Sequence, residues 1–185
     1  MRINGLILAA GNSSRLGQPK QLIKYQGRTL LADIEAKLLS CCDQVFVVLG
    51  YRPELFSKEL SGAEIINNPN WQAGMGSSMT CGVQVAGQQS DGLLIALSDQ
   101  PLIDLQHFQK LVDQFTQTPD QIVTTAYQNQ CGVPVIFPSR YMNQLTQLDA
   151  KTGAQSVIHK YPNQIKKIEC AAAAYDVDTV NDLFE

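Results

Sequence analysis

The stretch Leu8-Ala9-Ala10-Gly11-Asn12-Ser13-Ser14-Arg15-Leu16-Gly17-Gln18-Pro19-Lys20 decides how this chain is organised. It continues from an apolar run at residues 3–10, which predicts a buried β-strand that ends in small and basic residues. The loop also carries two cations, Arg15 and Lys20. A strand that opens into a loop rich in N–H groups and positive charge suits a ligand that carries phosphates.

This loop differs from two common phosphate-binding motifs. Five residues separate Gly11 from Gly17, one more than in the P-loop, and Gln18 follows, so the Gly-x-x-x-x-Gly-Lys-Ser/Thr pattern is absent. The dinucleotide fingerprint requires a closely spaced glycine pair after the strand, which Gly11 lacks. Both glycines permit backbone conformations that a Cβ would forbid. The sequence therefore predicts a phosphate cradle of another kind.

The same residues resemble the opening signature of the nucleotidyltransferases, Leu-Ala-Ala-Gly-x-Ser-x-Arg-x-Gly-x-x-Lys. Because Ala10 stands where the guanylyl branch usually carries glycine, the stretch is most similar to the molybdenum cofactor cytidylyltransferase branch of the MobA-like group. The resemblance implies that Arg15 lies over the β- and γ-phosphates and Lys20 near the α-phosphate, both as catalytic residues. The loop residues that it implies for binding ribose and phosphates are Leu8, Ala9, Ala10, Gly11 and Ser13.

Composition and charge limit the class of protein. A chain of 185 residues, 44% hydrophobic and 17% charged, predicts one globular domain over residues 1–185. The net charge of −3 argues against a general nucleic-acid binder but not against a nucleotide site, for which two local cations suffice. The apolar run at residues 3–10 is too short to cross a bilayer, so we expect no membrane partner.

Cysteine and histidine usage gives no sign of a metal centre. The five cysteines contain no Cys-x-x-Cys pair, and the N-terminus shows no export-type cleavage flank. We therefore expect reduced thiols in a cytoplasmic protein. His107 and His159 have no ligand partner at i+4, and both are expected at the surface.

Strand and helix patterns alternate along the chain, which predicts an α/β fold with a mainly parallel sheet. The predicted strands are residues 3–10, 44–49, 63–66, 93–97, 121–126, 133–137, 165–170 and 175–178. Predicted helices follow Thr29, Pro53, Ser77 or Ser78, and Asp104, and occupy residues 140–148 and 154–161, with a last one after Thr179. The family resemblance implies a single Rossmann-like three-layer domain of the nucleotide-diphospho-sugar transferase type.

Asp99 is the second feature that points to a site. The apolar run at residues 93–97 ends in Ser98-Asp99-Gln100-Pro101, which places a carboxylate at the carboxyl end of a strand. Open α/β sheets bind ligands there, and magnesium prefers one or two carboxylates together with phosphate oxygens. A turn-forming aspartate before proline is the structural alternative. Asp-Gln-Pro also resembles the Asp-x-Pro metal motif of the same family, which implies that Asp99 is catalytic and binds Mg²⁺.

A second acidic segment, Asp176-Val177-Asp178-Thr179, is the other candidate for the metal. On a strand its two aspartates would share one face, where they repel each other unless a cation or solvent intervenes. The segment resembles the family's terminal Asp-x-Asp-Thr-Pro-x-Asp, with Val180 in place of proline. The resemblance implies that Asp178 is the second metal ligand, and it leaves the role of Asp176 open.

The segment Gly74-Met75-Gly76-Ser77-Ser78 resembles the Gly-Met-Gly-x-Ser of the cytidylyltransferase branch. Two glycines let a backbone lie against a flat base, and a helix N-terminus adds N–H donors. We expect the backbone of Gly76 and the hydroxyl of Ser77 to read the edge of a pyrimidine. A glycine-rich connection with a serine cap is the alternative.

Two weaker matches concern the acceptor. Gly132-Val133-Pro134 resembles the family's Gly-x-Pro strand beside the acceptor substrate, although Val133 stands where the family often has histidine. Asp149 is displaced from the family's Gly-Asp-x-Gly-Ala pattern. The acceptor and the part played by Asp149 are therefore left open.

Together these features predict nucleotidyl transfer, in which an acceptor phosphate attacks the α-phosphorus of a nucleoside triphosphate and pyrophosphate leaves. The anionic transition state asks mainly for positioning and charge neutralisation, and an acceptor phosphate is ionised without a general base. The resemblance favours CTP with Mg²⁺ as donor, molybdopterin as acceptor and a molybdoenzyme as the recipient of the product. Two alternatives stay open: transfer to a sugar or alcohol phosphate, and a non-catalytic nucleotide- or cofactor-binding maturation chaperone.

Overall fold

The computed structural model describes residues 1–13, 16–177 and 182. The strands are β1 (Ile3–Leu8), β2 (Lys24–Tyr25), β3 (Arg28–Thr29), β4 (Gln44–Leu49), β5 (Glu64–Asn67), β6 (Gly92–Leu97), β7 (Ile122–Tyr127), β8 (Gln130–Pro138) and β9 (Ile165–Glu169). The α-helices are α1 (Leu30–Leu39), α2 (Met75–Ala86), α3 (Leu105–Gln117), α4 (Met142–Thr146) and α5 (Gln155–Lys160).

Among the described residues, seven strands form one sheet in the order β5-β4-β1-β6-β8-β7-β9, and β2 and β3 form a separate two-stranded ribbon. The pairs β1–β4, β1–β6, β4–β5 and β7–β9 are parallel. Only β8 runs antiparallel to its neighbours β6 and β7 among the described strands of this sheet. The α/β class and the mainly parallel sheet are confirmed.

Helices cover both faces of the sheet, which explains the nearly continuous apolar runs of its central strands. Along β1, Leu6 and Leu8 pack into one core cluster, whereas Ile3 and Ile7 pack into the other. Residues of α2, α4 and α5 belong to the first cluster, and residues of α1 and α3 belong to the second. The result is the three-layer arrangement that the family resemblance implies.

Two predicted helix caps are confirmed. The Thr29 side-chain oxygen accepts a hydrogen bond from the N–H of Ala32 at 3.3 Å, at the start of α1. The Asp104 carboxylate accepts one from the N–H of His107 at 2.8 Å, at the start of α3. Each satisfies an N–H group that the first helical turn leaves without a partner.

Other boundaries differ from the prediction. The strand β1 ends at Leu8, two residues early, and the segment after Pro53 forms two 3₁₀ turns rather than a helix. Residues 140–148 divide into a 3₁₀ turn, Ser139–Tyr141, followed by α4. The predicted strand at residues 175–178 is wrong for 175–177, which follow a 3₁₀ turn and join no sheet; Asp178 lies outside the described residues.

The chain shows no helix, within its described residues, that is long and apolar enough to span a membrane. All five cysteines are free thiols in the described structure. His159 is exposed on α5, as predicted.

His107 is buried, so the prediction of a surface position for it is wrong. Only 4% of the residue is exposed, and its Nε2 lies 2.8 Å from Thr125 Oγ1. The Thr125 hydroxyl donates to the carbonyl of Pro134 at 2.6 Å, which leaves the histidine Nε2 to act as donor. His107 lies at i−4 and i−8 from the buried Leu111 and Phe115, a spacing that places all three on the inner face of α3.

This burial predicts an acid-sensitive stability. Burial lowers the pKa of His107 below its ordinary value of 6.5, with nearby Asp104 opposing the effect and Lys110 adding to it. The unfolded chain then binds the proton more readily, so this contribution is complete above the unfolded pKa and is lost as the pH falls through the folded pKa. We expect the free energy of unfolding, measured by denaturant titration, to fall below about pH 6.5.

A matched variant isolates this effect. Gln in place of His107 keeps a donor for Thr125 but cannot titrate. His107→Gln should therefore show a flatter pH dependence than the wild type between about pH 7 and pH 5. Equal slopes for the two proteins would show that His107 does not cause the acid sensitivity.

Candidate active site

The site lies at a topological switch point of the sheet, where the strands that follow β1 in the chain are placed on opposite sides of it. Strands β1 and β6 are parallel neighbours with Leu8 opposite Leu97, and from β1 the sheet continues through β4 on one side and β6 on the other. Open α/β sheets bind ligands at the carboxyl ends of their strands at such a point. Two segments distant in sequence, the loop after Leu8 and the turn after Leu97, therefore lie side by side.

A cavity of about 330 Å³ opens at this edge of the sheet. Its lining combines the loop after β1, the turn after β6 and the start of α2: Leu8, Ala9, Ala10, Gly11, Lys20, Gln21, Trp71, Gln72, Gly74, Met75, Ser78, Leu97, Ser98 and Asp99. Of the residues predicted from the sequence, Leu8, Ala9, Ala10, Gly11, Lys20 and Asp99 are among them. Arg15 and Asp178 lie outside the described residues.

Lys20 and Asp99 form an ion pair in the cavity wall. Lys20 Nζ donates to Asp99 Oδ2, and the two side chains are 19% and 12% exposed. The second carboxylate oxygen, Asp99 Oδ1, is buried and has no hydrogen-bond partner in the described part of the chain. A buried carboxylate oxygen without a partner is costly for the folded protein. It is also an acceptor available to a ligand or a cation.

The C-terminal segment is attached to the same turn. The Val177 N–H donates to the carbonyl of Asp99 at 2.8 Å, and the Asp176 carboxylate accepts from Gln100 Nε2 at 3.0 Å. Val177 itself is buried against Leu16 and neighbouring residues. These bonds hold residues 176 and 177 beside the carboxyl end of β6. Among the residues described, no group of three His, Cys, Asp or Glu could hold a metal ion.

The two loop glycines play different roles. Gly17 has φ +67°, in the left-handed region that a Cβ disfavours. The backbone expectation for Gly17 is therefore confirmed. Gly11 has no such φ, and a Cβ built there meets, among the described residues beyond its chain neighbours, no atom within 4 Å. The backbone expectation for Gly11 is therefore wrong. Because Gly11 lines the cavity, a side chain at this position would instead occupy space for a ligand.

The first turn of α2 does not present the Gly76 N–H in the way predicted for binding a base. The Gly76 N–H donates to the carbonyl of Ala150 at 2.8 Å, and a Cβ at Gly76 would lie 2.0 Å from the carbonyl oxygen of Asp149. Gly76 therefore permits the close approach of residues 149–150, and its N–H is not available to a base. The Asp149 carboxylate is exposed and accepts from the N–H of Lys151 at 3.2 Å.

Ser77 is likewise engaged within the protein, since its hydroxyl lies 2.8 Å from the Gly74 carbonyl and 3.0 Å from that of Asn70. The helix α2 begins at Met75 with Gly74 at its N-cap, so neither Ser77 nor Ser78 caps it. Gly74 has φ +125°, which a side chain would disfavour. Ser78, the last residue of the matched motif, lines the cavity in place of Ser77.

Sequence reasoning missed Trp71 and Gln21 as cavity residues. Trp71 packs edge-to-face on Tyr51, with ring centroids 5.7 Å apart. A Cβ at Gly50 would lie 2.4 Å from Trp71 Cβ, so the glycine directly after β4 permits this position of the indole. Gly50 was therefore the signal in the sequence that could have indicated Trp71. No sequence signal indicated Gln21, because its amide hydrogens bind backbone carbonyls, which residue types do not reveal.

A second cavity of about 220 Å³ adjoins the first, and Leu8, Met75 and Leu97 line both. Its other lining residues are also uncharged: Met79, Tyr127, Gly132, Val133, Gly153, Ala154 and Gln155. The predicted acceptor strand thus contributes Gly132 and Val133. Burial raises the pKa of the Tyr127 hydroxyl, and the nearby Asp176 adds to the effect.

Comparison with known families decides the assignment. The family model described as the MobA-like NTP transferase domain matches residues 5–165. The chain belongs to this family. As a MobA-like NTP transferase it is a nucleotidyltransferase, an enzyme whose substrate is a nucleoside triphosphate.

Relatives of this MobA-like chain carry different names. It is 30% identical to the nicotine blue oxidoreductase of Paenarthrobacter nicotinovorans, over 98% of this chain and 95% of that protein. It is 26% identical to the molybdenum cofactor cytidylyltransferase of Escherichia coli (strain K12), over 97% and 93%. The fold matches the crystal structure of Rv0371C complexed with manganese from Mycobacterium tuberculosis H37Rv, with TM-score 0.78 and 22% identity, over 98% and 96%.

Proposed function

We propose that this MobA-like transferase moves CMP from CTP to the phosphate of molybdopterin, releases pyrophosphate and passes the product to a molybdoenzyme. The observation that carries the proposal is that one cavity of about 330 Å³ is lined by Lys20, by Asp99 and by the loop after β1 (residues 9–20, the signature loop). Lys20 and Asp99 are 79 residues apart in sequence. Their convergence supports a reaction that needs a cation and a carboxylate around phosphates.

Lys20 and the backbone of the loop after β1 have roles that their positions support. The ammonium group of Lys20 neutralises charge at the α-phosphate as it develops. The backbone of Ala9, Ala10 and Gly11 forms the wall along which the ribose and phosphates lie. Arg15, from the same signature, is assigned to the β- and γ-phosphates. Proton transfer to a base is not required, because the acceptor phosphate is already ionised.

The residues fit a divalent cation. Asp99 offers a buried carboxylate oxygen without a partner in the described structure, and hard cations such as Mg²⁺ prefer carboxylate and phosphate oxygens. We assign Asp99 and Asp178 to the metal, because Asp178 directly follows Val177, whose N–H is bonded to the Asp99 carbonyl. When bound, Mg²⁺ supplies positive charge to the phosphates. The manganese complex of Rv0371C supports a divalent cation in a protein of this fold.

Support for the donor and the acceptor comes from separate features. Ala10 and the motif Gly74-Met75-Gly76-x-Ser78 favour the cytidylyl branch, and the E. coli relative is named for that activity. The second cavity, whose lining is uncharged, suits the neutral body of an acceptor. The phosphate of that acceptor would then reach Lys20 in the first cavity by passing Met75, which lines both cavities.

A pyrophosphate-release assay tests this proposal. Purified protein is incubated with Mg²⁺ and each of the four ribonucleoside triphosphates, with and without molybdopterin. We expect release that requires both CTP and molybdopterin, and much slower release by the Asp99→Asn variant. Release that requires a sugar or alcohol phosphate instead would reassign the acceptor. Nucleotide binding without release under every condition would indicate a maturation chaperone.

Oxidoreductase activity is the second candidate, because the relative at 30% identity carries that name. The absence of a closely spaced glycine pair after β1 argues against a dinucleotide cofactor at this loop. Incubation with nicotine blue and NADH or NADPH, followed by absorbance of the reductant, tests this candidate. We expect no turnover; saturable turnover would replace the transferase proposal.

A further inference from the structure

Gln21 has a buried side-chain amide that is hydrogen-bonded at both ends beside the cavity. Only 1% of the residue is exposed. Its Nε2 donates to the carbonyl of Ala9 at 3.0 Å and to that of Gly11 at 2.9 Å. Both amide hydrogens of Gln21 are therefore donated to backbone carbonyls of the signature loop.

The acceptor side of the same amide continues the network. Gln21 Oε1 lies 3.4 Å from the Ser13 hydroxyl, and Ser13 Oγ accepts the N–H of Lys20 at 3.0 Å. Ser13 has φ +53°, a left-handed conformation that a non-glycine residue adopts only when its surroundings hold it there. The Gln21 side chain thus joins the two ends of the loop, residues 9–13 and Lys20.

The Ala10 carbonyl, which lies between the two carbonyls bonded to Gln21, has a different donor. The Ala10 oxygen accepts the N–H of Tyr51 at 3.1 Å. Three consecutive carbonyl groups, those of Ala9, Ala10 and Gly11, are therefore each bonded to a donor before any ligand binds. Carbonyl oxygens carry partial negative charge, so fixing them with donors keeps them from turning toward an anion in the cavity.

We propose that Gln21 is a positioning residue for the nucleotide phosphates. It holds the loop backbone in its binding conformation and fixes the main chain of Lys20, whose side chain meets Asp99. The proposal rests on the proposed function, because it requires a nucleoside triphosphate in this cavity. It concerns the phosphates alone and so holds for any base and any acceptor.

The only tryptophan of the chain, Trp71, lines the cavity and provides a direct readout of binding by its fluorescence. Dissociation constants for CTP, GTP, ATP and UTP with Mg²⁺ are measured for the wild type and for Gln21→Met. Methionine has a similar volume but cannot donate or accept these bonds. We expect about 10-fold to 100-fold weaker binding of whichever nucleotide the wild type binds, and a larger rise in KM than fall in kcat.

A second variant and a matched control separate positioning from stability. Gln21→Glu keeps the shape but faces two carbonyl oxygens with acceptors, and should weaken binding further than Gln21→Met. Asn4 is also 1% exposed, and its Nδ2 donates to the Ala86 carbonyl at 2.8 Å, near the opposite end of β1. Asn4→Leu should lower the melting temperature and leave nucleotide affinity unchanged.

Wild-type affinity in Gln21→Met would overturn this inference and leave the proposed function intact. Losses of affinity in Asn4→Leu that match those in Gln21→Met at equal loss of stability would overturn it as well. If the wild type binds a triphosphate other than CTP, the cytidylyl assignment fails. The affinities of the wild type and Gln21→Met for that triphosphate then still decide the role of Gln21. Failure of the wild type to bind any of the four would refute both.

Discussion

Asp99→Asn is expected to lower kcat for pyrophosphate release by roughly 100- to 1,000-fold. Asparagine keeps the shape of the side chain but removes the charge that faces Lys20 and that we assign to the divalent cation. The melting temperature is also expected to fall, because the substitution removes one partner of a largely buried ion pair, so kcat is measured well below the melting temperature of the variant. Steady-state kinetics with saturating CTP and Mg²⁺ measure the effect.

Asp91 provides the control for this prediction. It directly precedes β6, at the opposite end of the strand that Asp99 follows, and its carboxylate accepts the N–H of Arg2 at 2.6 Å. Asp91→Asn should leave kcat within about twofold of the wild type, since surface substitutions away from a site have small effects. If Asp99→Asn turned over as fast as Asp91→Asn, Asp99 would have no place in the reaction.

Lys20→Met is expected to lower kcat by a similar factor, roughly 100-fold or more. The ammonium group is the described cation that lines the cavity, and its removal leaves the Asp99 carboxylate without this partner. Lys20→Arg should recover part of the activity, because the charge returns with a different shape. Lys24→Met, at an exposed position four residues further along the chain, is the matched control and should behave as the wild type.

The double variant adds a separate criterion. If Lys20 and Asp99 act as one unit, Lys20→Met combined with Asp99→Asn should cost little more than the larger single loss. Multiplicative losses would show that the two side chains act independently. Undiminished kcat in Lys20→Met alone would remove Lys20 from the mechanism, whatever the double variant does.

Local patterns were sufficient for much of the fold. Residues 44–49 were predicted as a strand with both of its ends correct, because an apolar run bounded by polar and glycine residues depends only on its own sequence. The caps at Thr29 and Asp104 were found for the same reason. Helix α2 was misplaced at its start, since its first turn is set by Gly74 and by residues 149–150 from a distant segment.

The sequence by itself determined the α/β class, the cationic glycine loop and the carboxylate at the end of β6, because each is written in contiguous residues. Only the tertiary structure decided that β1 and β6 are neighbours, which brings Lys20 to Asp99. It also decided that His107 is buried and that Gln21 holds the loop. The physical reason is that hydrogen bonds to backbone carbonyls and ion pairs across strands join residues whose types alone do not specify their partners.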